Sequence, residues 1–430
     1  MKKFFYSLLA FASIALVAFT AAYEHRGKGK EVPFKNYSNA VVLSWNNTAF
    51  ETMQGPNYNP LLASRILAMV HLAMHDALNN IAPSYETYAY HREEKKADPI
   101  AAISAAAHSV LVESFPDKKR FLDAALEQAL KNVKDGADED RGIMLGEDAG
   151  QAILTLRSND GAFGDPVGKL NNPDRPGLYQ VTPPLQFVFA PFWTTMPTFG
   201  IKSPDQFRVG PMPALTSKQY SEDFNEVKMI GAKHNSTRTE EQTFIAKFWY
   251  EFSEIGWNRV TAVAVKDANL DLVTTVRLFA LVNMGLADSY TAGWDSKFNH
   301  NFWRPYTAIR NAIRDNNDHT AEDISWEPLL NTPPVHDYPS THSVLGSAAA
   351  TILTGILGDR SFTMTSTSAE PANATRTLKN FTVAAIENGD SRVYAGIHFR
   401  FSCEAGLRLG NDIGGWILNN TLTPKARPKV

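Results

Sequence analysis

Along most of this chain apolar residues return every three or four positions, the spacing that places them on one face of a helix. Ala, Leu and Met do so over 61–78, 100–115, 121–133 and 141–156, and further helices are expected over 217–230, 239–249, 270–287, 341–357, 372–388 and 403–418. Apolar–polar alternation at period two, the mark of a half-buried strand, is scarce. One stretch breaks the pattern: residues 161–213 carry ten of the 24 prolines. Proline removes a backbone donor and ends helices, so this stretch is an irregular connection. A connection this long is seldom passive, and Phe187, Phe189, Phe192 and Trp193 give it rings to pack. The expected fold is all-α. Two packed helical bundles, residues 23–160 and 217–430, are joined by the Pro-rich connecting segment 161–216. Ser217 and Thr239 stand where an N-cap is needed, and Gly358 where a helix stops.

Composition narrows the function. The 430 residues are 44% hydrophobic and 20% charged, ordinary for a globular chain and enough for more than one core. The formal net charge of −3 lacks the basic surface that a nucleic-acid partner requires. A single cysteine, Cys403, rules out an intrachain disulfide and any Cys-based zinc or iron–sulfur site, and its apolar helical setting reads as a small buried hydrophobe. Lys2 and Lys3, an apolar run to Phe19 and the small residues Thr20, Ala21 and Ala22 follow the order of a secretory signal. Residues 1–22 are therefore expected to be removed, leaving an exported chain, periplasmic or extracellular. No later stretch reads as apolar enough to span a bilayer.

Three short blocks carry the chemistry. Lys297 and Arg304 lie seven positions apart, two turns on one face of a helix, and Pro305 bounds them. Pro339-Ser340-Thr341-His342 opens an apolar helical run, so a hydroxyl, a free backbone N–H and an imidazole meet at a helix N-terminus, which favours anions. Ser391-Arg392 is followed, after five residues, by His398. Alone, each has a plain reading: a solvated basic face, a capping Ser or Thr beside an incidental His, a short polar run. Together they supply three cations, directional donors and two imidazoles, the parts a tetrahedral oxyanion site needs.

The order and inner spacings Lys297-x6-Arg304-Pro305, Pro339-Ser340-Thr341-His342 and Ser391-Arg392-x5-His398 resemble the vanadium-dependent haloperoxidases. That family shares its oxyanion pocket with acid and lipid phosphatases. Trp294 three residues before Lys297, Asp288 six before Trp294, and an N-terminal helix around 65–77 similar to that of bacterial members favour the haloperoxidase branch. The resemblance implies vanadate as cofactor, with phosphate as a competing ligand. It implies that His398 coordinates vanadium, that Lys297, Arg304, Arg392, Ser340 and the Thr341 N–H hold its oxygens, and that His342 acts as general acid–base, with a pKa near the operating pH. Lys297 would also polarise bound peroxide. Substrates would be hydrogen peroxide and a halide, iodide or bromide, with an organic acceptor beyond. Trp294 and Trp303 would wall the pocket.

Two positions depart from the family. Thr341 stands where Gly is usual. The place seven before the acid–base histidine, often Phe or His, is Val335, with His336 its neighbour. The same residues also fit a phosphomonoesterase with a phosphohistidine at His398, or an oxyanion-binding protein without turnover, which would have no use for His342. A separate pair, His71 and His75, has the i, i+4 spacing of some zinc sites but lacks the accompanying glutamate, and reads better as helix packing.

Overall fold

The computed structural model describes residues 33–55, 58–170, 173–366 and 372–425. The expected leader, residues 1–22, lies outside them. The described residues form an all-α fold with two short antiparallel hairpins.

The first half contains α1 (Ala40–Met53), α2 (Pro60–Ile81), α3 (Pro99–Ser114), α4 (Lys119–Leu130) and α5 (Ala137–Leu156). Pro at the first helical position and an oxygen just before it start α2 and α3: the Asn59 side chain accepts from Leu61 and Leu62 N, and Asp98 accepts from Ile100 and Ala101 N. The connecting segment contributes only β1 (Val167–Gly168), β2 (Val188–Phe189) and a 3-10 turn at Pro191–Thr195. The second half contains α6 (Lys218–Ile230), α7 (Glu240–Phe248), α8 (Ser253–Asp267), α9 (Leu272–His300) and α10 (Pro305–Arg310). After α11 (Thr341–Leu357) come β3 (Phe362–Thr365), β4 (Thr375–Leu378), α12 (Phe381–Tyr394) and α13 (Arg400–Asn420). Ser217 caps α6, Thr239 and Gln242 form a capping box on α7, and Gly358 ends α11 at φ +70°, as their residue types predict.

The 29-residue α9 is the shared wall. It packs against α2 on one side and α11 on the other, and residues 37–430 cluster as one compact unit. The predicted end near residue 287 is too early. Asp288 looks like a solvent-facing stop but is fully buried, its carboxylate accepting the backbone N–H groups of Phe199 (2.6 Å), Gly200 (2.7 Å) and Ile201 (2.9 Å). That carboxylate fastens the end of the connecting segment to α9. His71 and His75 likewise serve packing. His71 Nε2 meets Asn46 Oδ1 at 3.1 Å and its ring stacks on Phe279, while His75 Nε2 meets the Glu86 carbonyl at 3.1 Å.

Three further expectations need correction. Residues 375–378 form β4 rather than helix, because Thr375–Leu378 pair with Phe362–Thr365, and α12 begins only after Asn380 caps it. α2 and α9 are long and apolar enough to cross a membrane by length and composition, contrary to the sequence reading, although 94% and 89% of their apolar windows are buried in the fold. Arg304 does not share a helix with Lys297. α9 stops at His300, Asn301 turns left-handed at φ 52°, and Arg304 is the N-cap of α10.

Gly406, Gly410 and Gly414 let α13 press against α11. A Cβ at Gly410 would stand 2.1 Å from the Val344 carbonyl oxygen. Alanine is ordinarily the better helix former by up to about 1 kcal/mol, but here backbone would have to move. Gly410→Ala is expected to lower stability by about 1–3 kcal/mol, read from the midpoint of chemical unfolding.

Candidate active site

The three blocks converge. Lys297 leaves the last turn of α9, Ser340 and Thr341 start α11, and Arg392 leaves the last turn of α12. The chain then turns through Gly396 at φ +79°, where a Cβ would lie 2.3 Å from the Gly231 carbonyl oxygen, and so returns His398 to the same place. All are buried: Lys297, Arg304 and Arg392 at 1% exposure, Ser340 at 0% and His398 at 4%.

Arg304 ties the blocks together. Its Nε donates to the Val335 carbonyl at 2.7 Å and its Nη1 to the Ile397 carbonyl at 2.8 Å, and Nη1 also faces His398 Nε2 at 2.9 Å. Lys297 Nζ donates to the carbonyls of His336 (2.7 Å) and Asp337 (2.9 Å), using two of its three donors. The Val335–Asp337 loop is thus read mainly through its backbone. The His336 ring is wedged between Tyr179 (4.6 Å) and Phe298 (4.5 Å). Trp294 donates Nε1 to the Phe189 carbonyl at 3.1 Å, holding the connecting segment against the site. Trp303 is placed differently from the pocket wall expected of it, in an aromatic core with Tyr220, Phe302, Phe399 and Phe401.

Asp337 was not singled out from sequence. It is fully buried, and its Oδ1 lies 2.9 Å from His398 Nδ1. Ser402 Oγ lies 3.3 Å from the same Nδ1, while Nε2 on the other side of the ring faces Arg304. The available signal was an acid three positions before Ser340 in a His-Asp-Tyr-Pro run. Glu251 was not singled out either, since it acts through its carbonyl, which accepts from His342 Nε2 at 3.0 Å.

Positive charge dominates this interior. Burial, then Arg304, pushes the Lys297 ammonium well below its ordinary range, and burial brings Arg392 down to about 10. Burial, then Arg304, drives His398 far down; burial, then Arg392, does the same to His342. Burial and Arg392 thus favour the neutral form of His342, whereas the family resemblance implies a pKa near the operating pH. Asp337 is raised to about 7 by burial against the pull of Arg304 and Lys297.

The donors are also incomplete. Ser340 Oγ, Thr341 Oγ1 and the Nε and Nη2 of Arg392 are buried with no hydrogen-bond partner among the described residues. Ser340 is the N-cap of α11 but makes no side-chain cap bond, which removes the plain capping reading. Thr341 heads α11, so its N–H has no intrahelical acceptor. Its side chain is accommodated opposite Gly293, where a Cβ would come within 3.3 Å of Thr341 Cγ2. Buried polar groups are normally satisfied; these belong to residues at or next to a group of buried cations, the setting an oxyanion demands.

Residues 277–423 match the VCPO second helical-bundle domain. That stretch, about a third of the chain, holds all three blocks of the site. The chain's family resemblance reaches beyond that domain: it is 26% identical over 401 residues to the vanadium chloroperoxidase of Curvularia inaequalis, covering 73% of this chain. The match spans 65% of that relative's length. In fold, the chain is similar to a crystal structure of a bacterial vanadium-dependent iodoperoxidase, with a TM-score of 0.79 at 24% identity over 92% of this chain and all of that one. A bacterial vanadium-dependent chloroperoxidase in its holo form superposes with a TM-score of 0.68 at 17% identity, covering 88% of this chain and 96% of that one.

Proposed function

We propose that this chain is a vanadate-dependent haloperoxidase that uses hydrogen peroxide to oxidise iodide or bromide to hypohalous acid. The observation that carries the reading is the set of unpaired buried donors, Ser340 Oγ, Thr341 Oγ1 and Arg392 Nε and Nη2, beside His398 Nε2. A tetrahedral oxyanion satisfies the donors, and a metal centre within it takes the ring nitrogen as ligand. Vanadate fits both. When bound, it supplies a Lewis acid at which peroxide becomes reactive toward halide.

The residues divide the work. Lys297, Arg304 and Arg392 balance the oxyanion's charge, and Ser340, Thr341 and the N-terminus of α11 orient its oxygens. Asp337 holds the Nδ1 side of His398. His342, against the Glu251 carbonyl, moves the proton. The relatives' names support peroxide and halide as substrates, and iodide is the easiest halide to oxidise. The leader-like order of residues 1–22 supports a site of action outside the cytoplasm.

Purified protein freed of vanadate is expected to form triiodide from iodide and peroxide only after orthovanadate is added, with phosphate competing for the same charges. Hydrolysis of p-nitrophenyl phosphate by the vanadate-free protein, with a phosphohistidine at His398 and no halide oxidation after loading, overturns this reading in favour of a phosphatase.

A further inference from the structure

The short link between α7 and α8 touches the site with three consecutive residues. The Trp249 carbonyl accepts from Arg392 Nη1 at 3.3 Å, the Tyr250 ring lies over the Arg392 guanidinium at 5.4 Å, and the Glu251 carbonyl accepts from His342 Nε2 at 3.0 Å. Among Lys297, Arg304, Ser340, Thr341, His342, Arg392 and His398, His342 is the one that is not fully buried. The partly exposed member of the set is thus the one that lies against this link. There Tyr250 is 37% exposed, with its hydroxyl donating to the Asn331 carbonyl at 3.0 Å. The ring is thus held by two contacts, one of them to a site arginine, and is partly open to water.

A phenol ring is readily attacked by an electrophilic halogen at the carbons beside its hydroxyl. Of the rings beside it, Phe252 lacks a hydroxyl, Trp249 is buried, and Tyr58, packed on Phe252 at 4.7 Å, donates its hydroxyl to Glu254.

Resting on the haloperoxidase reading, we propose that Tyr250 is a self-halogenation site, the first organic acceptor met by oxidised iodide as it leaves the pocket. Hydrogen peroxide, iodide and one proton give hypoiodous acid and water. The Tyr250 ring carbon then forms a C–I bond while the O–I bond of hypoiodous acid breaks. The displaced ring proton ends with the released hydroxide as water. The product is a tyrosine carrying iodine beside its hydroxyl.

The test compares Tyr250 with Tyr37, which is similarly exposed at 40%. Vanadate-loaded full-length protein receives iodide and peroxide, triiodide is followed by absorbance, and early samples go to site-resolved peptide mass spectrometry. Iodine at Tyr250 is expected to exceed that at Tyr37 roughly tenfold, because oxidised iodide is most concentrated where it is released. Vanadate-free protein mixed with a ready-made iodine–iodide solution is expected to lose that preference, and Tyr250→Phe to lose the label at position 250. Triiodide with Tyr250 unlabelled, or labelled no faster than Tyr37, overturns the assignment and leaves the peroxidase reading standing. Absence of both triiodide and label overturns the two together.

Discussion

Alanine at position 398 is expected to remove the preference of this site for vanadate over phosphate. Both anions meet the charge of Lys297, Arg304 and Arg392, and charge alone does not separate two tetrahedral oxyanions. The difference comes from a ring nitrogen able to bond a metal. In the proposed reading that nitrogen is His398 Nε2, which faces Arg304 Nη1 at 2.9 Å, while Nδ1 lies 2.9 Å from Asp337. Partners that only orient a metal ligand are worth about 10–100-fold in metal affinity, so loss of the ligand itself should exceed about 100-fold. Calorimetric titration of His398→Ala with orthovanadate and with phosphate measures it. Vanadate affinity unchanged from wild type would remove His398 from the metal-binding role. The variant also leaves Asp337 buried without its imidazole partner. Its carboxyl is already raised to about 7 by burial. The same titration on His398→Ala/Asp337→Asn separates loss of the ligand from strain at the orphaned acid.

What could be read in the residues alone was the part where local chemistry and spacing agree. α11 begins at Thr341 and ends at Leu357 as expected, because a small apolar run lies between a Pro-Ser-Thr start and Gly358. The converging blocks were legible for a similar reason: three cations and two imidazoles in that order have few other uses. Three helices escaped notice, α1, α8 and the six-residue α10. The inward faces of α1 and α8 carry polar residues that are satisfied only by distant partners. Asn46 of α1 meets His71, Asn258 of α8 exchanges hydrogen bonds with Asn283, and Glu254 accepts from Tyr58 and Tyr290. Polar residues on a buried face disguise the apolar period on which helix recognition depends. Lys297 and Arg304 illustrate the opposite error. Their spacing fits one helix face, yet Asn301 reverses the backbone between them, and the two cations meet through the fold rather than through helical repeat. The contributions of Glu251 and Trp249 were invisible for a further reason, since a backbone carbonyl is the same in every residue.

His342→Ala is expected to bind vanadate within a few-fold of wild type while losing about 10²–10⁴ in halide oxidation, the range for removal of a general acid–base. The structure separates the two functions. His342 Nε2 donates to the Glu251 carbonyl, and His342 is the partly exposed residue of the set, beside rather than among the unpartnered donors. Burial and Arg392, with smaller contributions from Lys297 and Arg304, hold its pKa well below 6.5. A bound oxyanion reverses the sign of the nearest charge and moves that pKa back upward, since negative charge favours the imidazolium. His342 is therefore a neutral base before the anion arrives and can carry a proton once it is present, which couples protonation to occupancy of the pocket. Steady-state triiodide formation and calorimetric vanadate titration on the same preparation measure the two effects. A parallel loss of binding and turnover would assign His342 to holding the anion, and full turnover in the alanine variant would remove the proton-moving role altogether.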